Sequence, residues 1–161
     1  MVDDRPPRGP RSVGILGRVD DETCRLCRVE DADAFFHRTR VWEDELWRLS
    51  VVGQGAILGF GHLEPKRHIP FITDLDGDEA ATLGPVLARV TLAMRQATGA
   101  DAVYVYVFGE RVPHLHFNLA PHRAGDALVG GAGLLTGDAV PLDAADHWSA
   151  AHTIRGLLED T

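Results

Sequence analysis

The sequence predicts an α+β domain, an antiparallel sheet with helices segregated to one side, because its elements run in the order strands, helix, strands, helix. Residues 39–52 and 57–64 alternate apolar and polar side chains around Gly53-Gln54-Gly55, and residues 78–98 repeat apolar side chains at helical spacing. The run Pro113-His114-Leu115-His116-Phe117-Asn118-Leu119-Ala120-Pro121 alternates two imidazoles and an amide with large apolar groups. At 161 residues and 45% hydrophobic content, the chain fits a single domain with a sizeable core.

Residues 1–20 place Pro6, Pro7 and Pro10 among arginines without periodicity, and read as a mobile tail ahead of one domain over 21–161. Residues 39–52 and 57–64 read as two antiparallel strands joined by a hairpin at 53–55. Asp78 is placed to cap a helix running to Thr98, since Leu83, Leu87, Val90, Met94 and Ala97 share a face and Gly99 supplies a stop. Pro85 is expected to kink its first turns. In residues 102–108, Val103, Val105 and Val107 alternate with Tyr104, Tyr106 and Phe108, the pattern of a strand buried on both faces. The histidine-bearing strand follows directly. Residues 125–142 are glycine-rich and aperiodic, and residues 146–158 close the domain as a short amphipathic helix.

The formal net charge is -8, and of sixteen basic residues Lys66 alone is lysine, which excludes a broad nucleic-acid footprint and makes any phosphate contact local. No stretch approaches the ~18 apolar residues of a membrane span, and no charged-then-apolar secretory pattern opens the chain; the cytoplasm is the expected compartment. Disulfides are rare there, so Cys24 and Cys27 read as metal or redox ligands ahead of a structural bridge. A redox pair calls for a strand-to-helix context that is not evident, which puts metal first and two unligated thiols behind it. A tetrahedral zinc site takes four Cys and His ligands, so two histidines must come from elsewhere. Spacing alone does not select them from His37, His62, His68, His114, His116, His122, His147 and His152.

On a strand, His114, His116 and Asn118 share one face while Leu115, Phe117 and Leu119 share the other. Each unpartnered buried polar group costs about 1–3 kcal/mol, so the polar face is the one that carries chemistry. His116 stands at its middle, where an imidazole with one nitrogen held by a hydrogen bond can use the other as a nucleophile. An isolated histidine in such a place is more often a ligand or a satisfied core residue. Trp42, Trp47 and Tyr104 are expected in the core rather than as base-stacking platforms. Lys66 and Arg67 read as solvated charges, and His62 and His122 as further candidates, His122 as a phosphate donor or proton shuttle.

The ordered set Cys24-Arg25-Leu26-Cys27, Gly61-His62-Leu63-Glu64-Pro65-Lys66-Arg67-His68, a capped amphipathic helix and His114-Leu115-His116-Phe117-Asn118-Leu119-Ala120-Pro121-His122-Arg123 resembles the histidine triad (HIT) superfamily, over residues 23–161. The late motif is the specific part, close to the family's H-x-H-x-H/Q followed by apolar residues and a Pro-Arg pair. The resemblance implies a curved antiparallel sheet of about five strands with a long central helix and a C-terminal helix, usually dimerising to a homodimer around the central helix. It implies a hydrolase or nucleotidyltransferase acting at a phosphoanhydride or phosphoramidate of a nucleotide. His116 aligns with the nucleophile that attacks an α-phosphate to form a nucleotidyl-histidine. In zinc-containing members the matching residues Cys24, Cys27, His68 and His114 bind a structural zinc.

Three positions depart from the family pattern. Asn118 stands in place of a third histidine, where the galactose-1-phosphate uridylyltransferase branch carries glutamine, an amide that donates to a phosphoryl oxygen. Gly109-Glu110-Arg111-Val112-Pro113 replaces the usual Gly-Gln-Ser/Thr approach, with Arg111 offering a positive fork for phosphate. Val52 falls where many members keep an acidic residue for ribose hydroxyls. These departures motivate the alternative of a catalytically altered nucleotide- or small-molecule-binding protein, or of a scaffold adapted to specialised metabolism.

Overall fold

The computed structural model describes residues 24–108, 112–128 and 139–159; the expected tail and Arg111 lie outside the described residues. The elements are α1 (Val29–Phe35), β1 (Arg38–Glu43), β2 (Trp47–Val52), β3 (Gly61–Pro65), α2 (Gly77–Thr98), β4 (Ala102–Tyr106), β5 (Phe117–His122) and α3 (Ala144–Glu159). The five strands form one sheet in the order β1-β2-β3-β5-β4, and every neighbouring pair is antiparallel. This is the α+β architecture that the sequence predicts. No helix among the described residues is long and apolar enough to cross a membrane.

Local chemistry explains where the elements depart from expectation. Residues 39–52 form two strands, because Asp44 turns the chain: its Oδ1 accepts from the backbone N–H of Leu46 (2.8 Å) and Trp47 (2.6 Å). The next strand is Gly61–Pro65 rather than 57–64. The N-cap position of α2 is Asp76, with Asp78 already in the first turn, and the helix runs unbroken through Pro85 to Gly99, whose left-handed φ of 66° ends it. β4 is not buried on both faces: it is the sheet edge, and Val105 is 42% exposed. The helix α1 went unanticipated, since its seven residues are too short to display a period.

The sheet separates two chemistries. Trp47, Leu49 and Val51 of β2, Leu63 of β3, and Phe117 and Leu119 of β5 join Val90 and Met94 of α2 and Ile154 and Leu158 of α3 in one core cluster. Each such side chain contributes about 1.5–3 kcal/mol by leaving water. Trp47 also donates from Nε1 to Thr82 Oγ1 on α2 (2.9 Å). The intervening residues Arg48, Ser50, His62, Glu64 and Asn118 necessarily point to the opposite face.

That opposite face carries a buried charge network. Glu64 is fully buried, and its Oε1 accepts from Arg38 Nη2 (2.8 Å) and Arg48 Nε (2.7 Å). Arg38 Nε continues to Asp33 Oδ1 on α1 (2.7 Å), and Arg48 Nη2 donates to the Leu26 carbonyl inside the CxxC segment. Two cations and two carboxylates thus balance while they pin the N-terminal segment to the sheet. Burial alone would raise the Glu64 carboxyl, but Arg38 and Arg48 outweigh it and hold the group below its usual range. A carboxyl with a depressed folded-state pKa stabilises the fold above its ordinary pKa, and that stabilisation is lost as pH falls through the folded value. Chemical denaturation across pH is therefore expected to show stability falling below about pH 4, with a shallower fall in Glu64→Gln. Glu64→Ala, which strands two guanidinium groups, should cost about 3–5 kcal/mol.

Candidate functional site

Register builds the polar face as a row across four strands: Ser50 lies opposite His62, His62 opposite Asn118, and Asn118 opposite Tyr106. His114 and His116 stand just before β5, in the segment held by Leu115 N–H donating to the Ile69 carbonyl (2.6 Å). Leu115 is buried in the core cluster while His114 and His116 turn to the opposite side, as the alternation predicts.

Cys24, Cys27, His68 and His114 come together, their donor atoms all within 4.8 Å of one another. Cys24 Sγ lies 3.5 Å from His114 Nδ1, and Cys27 Sγ lies 3.3 Å from His68 Nδ1 and 3.5 Å from His114 Nδ1. Zinc bonds of the usual length at tetrahedral angles would separate sulfur from nitrogen by about 3.6 Å, so the donor set fits that ion. His114 Nε2 lies 2.9 Å from the Pro65 carbonyl. A carbonyl only accepts, so Nε2 carries the hydrogen and the Nδ1 lone pair faces the thiols. Burial holds the His114 pKa below its ordinary value, although the Pro65 bond opposes it, which favours this neutral ligand form.

His116 is fixed by the same logic. Its Nδ1 donates to the His114 carbonyl (2.7 Å), which leaves the Nε2 lone pair unencumbered. The His62 ring meets the His116 ring edge to face at 6.0 Å and is flanked by Phe60 at 5.3 Å and Phe36 at 6.3 Å. Asn118 is only 8% exposed, and its Nδ2 donates one hydrogen to the Tyr106 carbonyl (3.3 Å), leaving a second hydrogen available.

Other candidates stand elsewhere. His122 is five residues beyond Phe117, about 17 Å along the strand at ~3.3 Å per residue, and the structure does not bring it to His116. Lys66 pairs with Glu43, and Arg67 with Glu79 and Asp76, so both are engaged in surface ion pairs. Trp47 is core as expected, Trp42 packs against the core, and the half-exposed Tyr104 stacks on His122. Arg38, Arg48, Glu64 and Asp33 were missed; the signal available for Glu64 was its place two residues after His62, hence on the same strand face.

Burial, then Arg38 and His116, push the His62 pKa down to about 4. Because unfolding returns it to about 6.5, the unfolded chain binds the extra proton and His62 lowers stability progressively as pH falls from about 6.5 to 4. Imidazole NMR is expected to show one histidine titrating near 4 that disappears in His62→Gln, and a midpoint near 6.5 would contradict the described packing.

No family model matches the chain. A segment of 73 residues is 34% identical to the nitrilase and fragile histidine triad fusion protein NitFhit of Caenorhabditis elegans, covering 41% of this chain and 17% of that protein's length. Among solved structures, a zinc-bound histidine triad family protein from Mycobacterium smegmatis superposes with a TM-score of 0.65 at 22% identity, over 88% of this chain and 96% of that one. A histidine triad protein from Marinobacter aquaeolei VT8 gives 0.67 at 20% identity, over 82% and 96% of the two chains. A hypothetical histidine triad nucleotide-binding protein from Sulfolobus tokodaii gives 0.66 at 22% identity, over 85% and 93%. The agreement of these superpositions over most of both chains gives the fold: the chain has the histidine triad fold.

Proposed function

We propose that the protein is a hydrolase or nucleotidyltransferase that cleaves a phosphoanhydride or phosphoramidate of a nucleotide through a covalent nucleotidyl-His116. The observation that carries this reading is the hydrogen bond from His116 Nδ1 to the His114 carbonyl, which sets the tautomer and aims Nε2 as a nucleophile. The nucleotide-binding neighbour from Sulfolobus tokodaii supports the substrate class.

In this mechanism the Nε2 lone pair of His116 attacks the α-phosphorus, a P–N bond forms, and the bond to the leaving group breaks. The ring becomes cationic, and its Nδ1–H bond to the His114 carbonyl strengthens as charge develops. Water or another acceptor then attacks phosphorus and releases His116. His62, neutral at physiological pH, packs against the nucleophile without adding a competing cation. The remaining amide hydrogen of Asn118 is proposed to meet a phosphoryl oxygen, and Arg111 to fork the phosphates.

Cys24, Cys27, His68 and His114 are the residues proposed to hold zinc, which supplies a structural cross-link there rather than a reacting group. The link would tie the CxxC segment to the residue whose carbonyl orients the nucleophile. A homodimer across α2 and the exposed edge strand β4 is proposed as the assembly, on the exposure of Leu92 and Val105.

A second reading has its own observation: the engagement of Asn118 Nδ2 with Tyr106 ties up part of the amide, as suits a nucleotide- or small-molecule-binding protein without turnover. The two separate on activity. His116→Ala is expected to abolish hydrolysis of diadenosine tetraphosphate, an adenosine phosphoramidate or a UDP-sugar, whichever is turned over, and Asn118→Ala to lower kcat by about 10²–10³-fold. Turnover unchanged by His116→Ala would sink the mechanism. Elemental analysis of purified protein should find zinc that Cys24→Ser and His68→Ala lose, with a lower Tm in both variants; a metal-free wild type with an unaltered Tm under chelation would contradict the assignment.

A further inference from the structure

Far along β5 from His116, a second polar constellation faces a cavity that the nucleophile's chemistry does not use. His122 Nδ1 donates to Asp126 Oδ1 (2.9 Å). The rest of that carboxylate is committed to the turn: Oδ1 also accepts from Leu128 N–H (2.9 Å) and Oδ2 from Arg123 N–H (2.9 Å). With Nδ1 held, the His122 ring presents Nε2, and Tyr104 stacks on it with ring centroids 5.3 Å apart. Asp126 therefore serves to orient His122 and has little left to offer the neighbouring Arg123. The Arg123 guanidinium makes no hydrogen bond or ion pair among the described residues.

The cavity beside this pair has a volume of about 280 Å³ and is walled by Ile57, Leu58, Pro121 and Leu142 as well as by His122 and Arg123. A second cavity of about 360 Å³ adjoins it, sharing Leu58, Arg123 and Leu142. The two meet along those shared residues as a trough, with the Arg123 guanidinium, unpaired among the described residues, at the junction. Its outer wall is tied down: the Gly55 carbonyl accepts from Leu142 N–H (2.8 Å) and from His147 Nε2 (3.0 Å). The inner wall is close-packed where Gly59 meets α2; a Cβ there would lie 2.6 Å from Thr98 Cγ2, and the φ of +71° already selects glycine.

We propose that this trough is a second ligand site, separate from His116, for a small apolar carboxylate whose acid group pairs with Arg123 and whose body lies along Leu58, Pro121 and Leu142. Mostly apolar walls with a few convergent polar groups are the usual make-up of a small-molecule pocket, and the space suits a monocyclic acid. A carboxylate fits better than a phosphate ester, because Arg123 and His122 are the only cation-capable side chains lining it among the described residues, while Asp126 and Asp146 share its rim. A dianion would face that acidic rim with too few donors.

The test is an amide NMR titration of the full chain with phenylacetate, its neutral counterpart phenylacetamide, and phenyl phosphate. Phenylacetate should produce saturable shifts at Arg123, His122 and Leu142, and binding should weaken by about tenfold or more for phenylacetamide and in Arg123→Gln. Leu58→Trp, which fills the trough without altering a charge, should abolish the shifts, and His116→Ala should leave them intact. No saturable shift at these residues, equal affinity for the amide, tighter binding of phenyl phosphate, or shifts confined to the surroundings of His116 would each overturn the proposal.

Discussion

His114 is held at three points, and the site is arranged around them. Its Nε2 is committed to the Pro65 carbonyl, its Nδ1 faces the thiols of Cys24 and Cys27, and its own carbonyl accepts from His116. Each commitment decides the next: the Pro65 bond sets the tautomer that turns a lone pair toward the cluster, and the ordered backbone then sets the tautomer of His116. His116, the proposed nucleophile two residues away, thus takes its orientation from the backbone of a metal-type donor set.

The charge network around Glu64 serves the same end from beneath. A buried glutamate flanked by two arginines adds less stability than its short contacts suggest, since desolvation offsets much of the attraction. Its effect here is positional. Arg48 reaches the Leu26 carbonyl, in the loop between the two cysteines, and Arg38 reaches Asp33 on α1, so the N-terminal segment can dock on the sheet in one register. The apolar face of the same strands, packed against α2 and α3, fixes that sheet. Histidine chemistry on one side and core on the other follow from a single alternation.

That alternation was legible in the sequence, because His-x-His-x-Asn against Leu-x-Phe-x-Leu is a local pattern that any extended chain must sort into two faces. The central helix was legible too, with Gly99 as its stop, although its cap position lies two residues earlier than Asp78. The grouping of Cys24, Cys27, His68 and His114 came from likeness to a family rather than from spacing. What stayed hidden depends on register between distant strands. Arg38 and Glu64 are 26 residues apart, and nothing local declares that they meet. The edge position of β4 is likewise a matter of topology, since Val-Tyr alternation reads the same at an edge as in the middle. Asp44 was a local signal that went unread, as one aspartate divided an apparently continuous strand.

In the proposed reaction His116 Nε2 becomes the transient bearer of a nucleotidyl group. The most direct measurement is rapid acid-free quenching during turnover of diadenosine tetraphosphate, ATP, an adenosine phosphoramidate and a UDP-sugar, followed by intact-mass analysis and peptide mapping. A nucleotidyl mass increment is expected on the peptide carrying His116 and is absent from His116→Ala. Turnover with the increment on another residue, or turnover undiminished in His116→Ala, would contradict it.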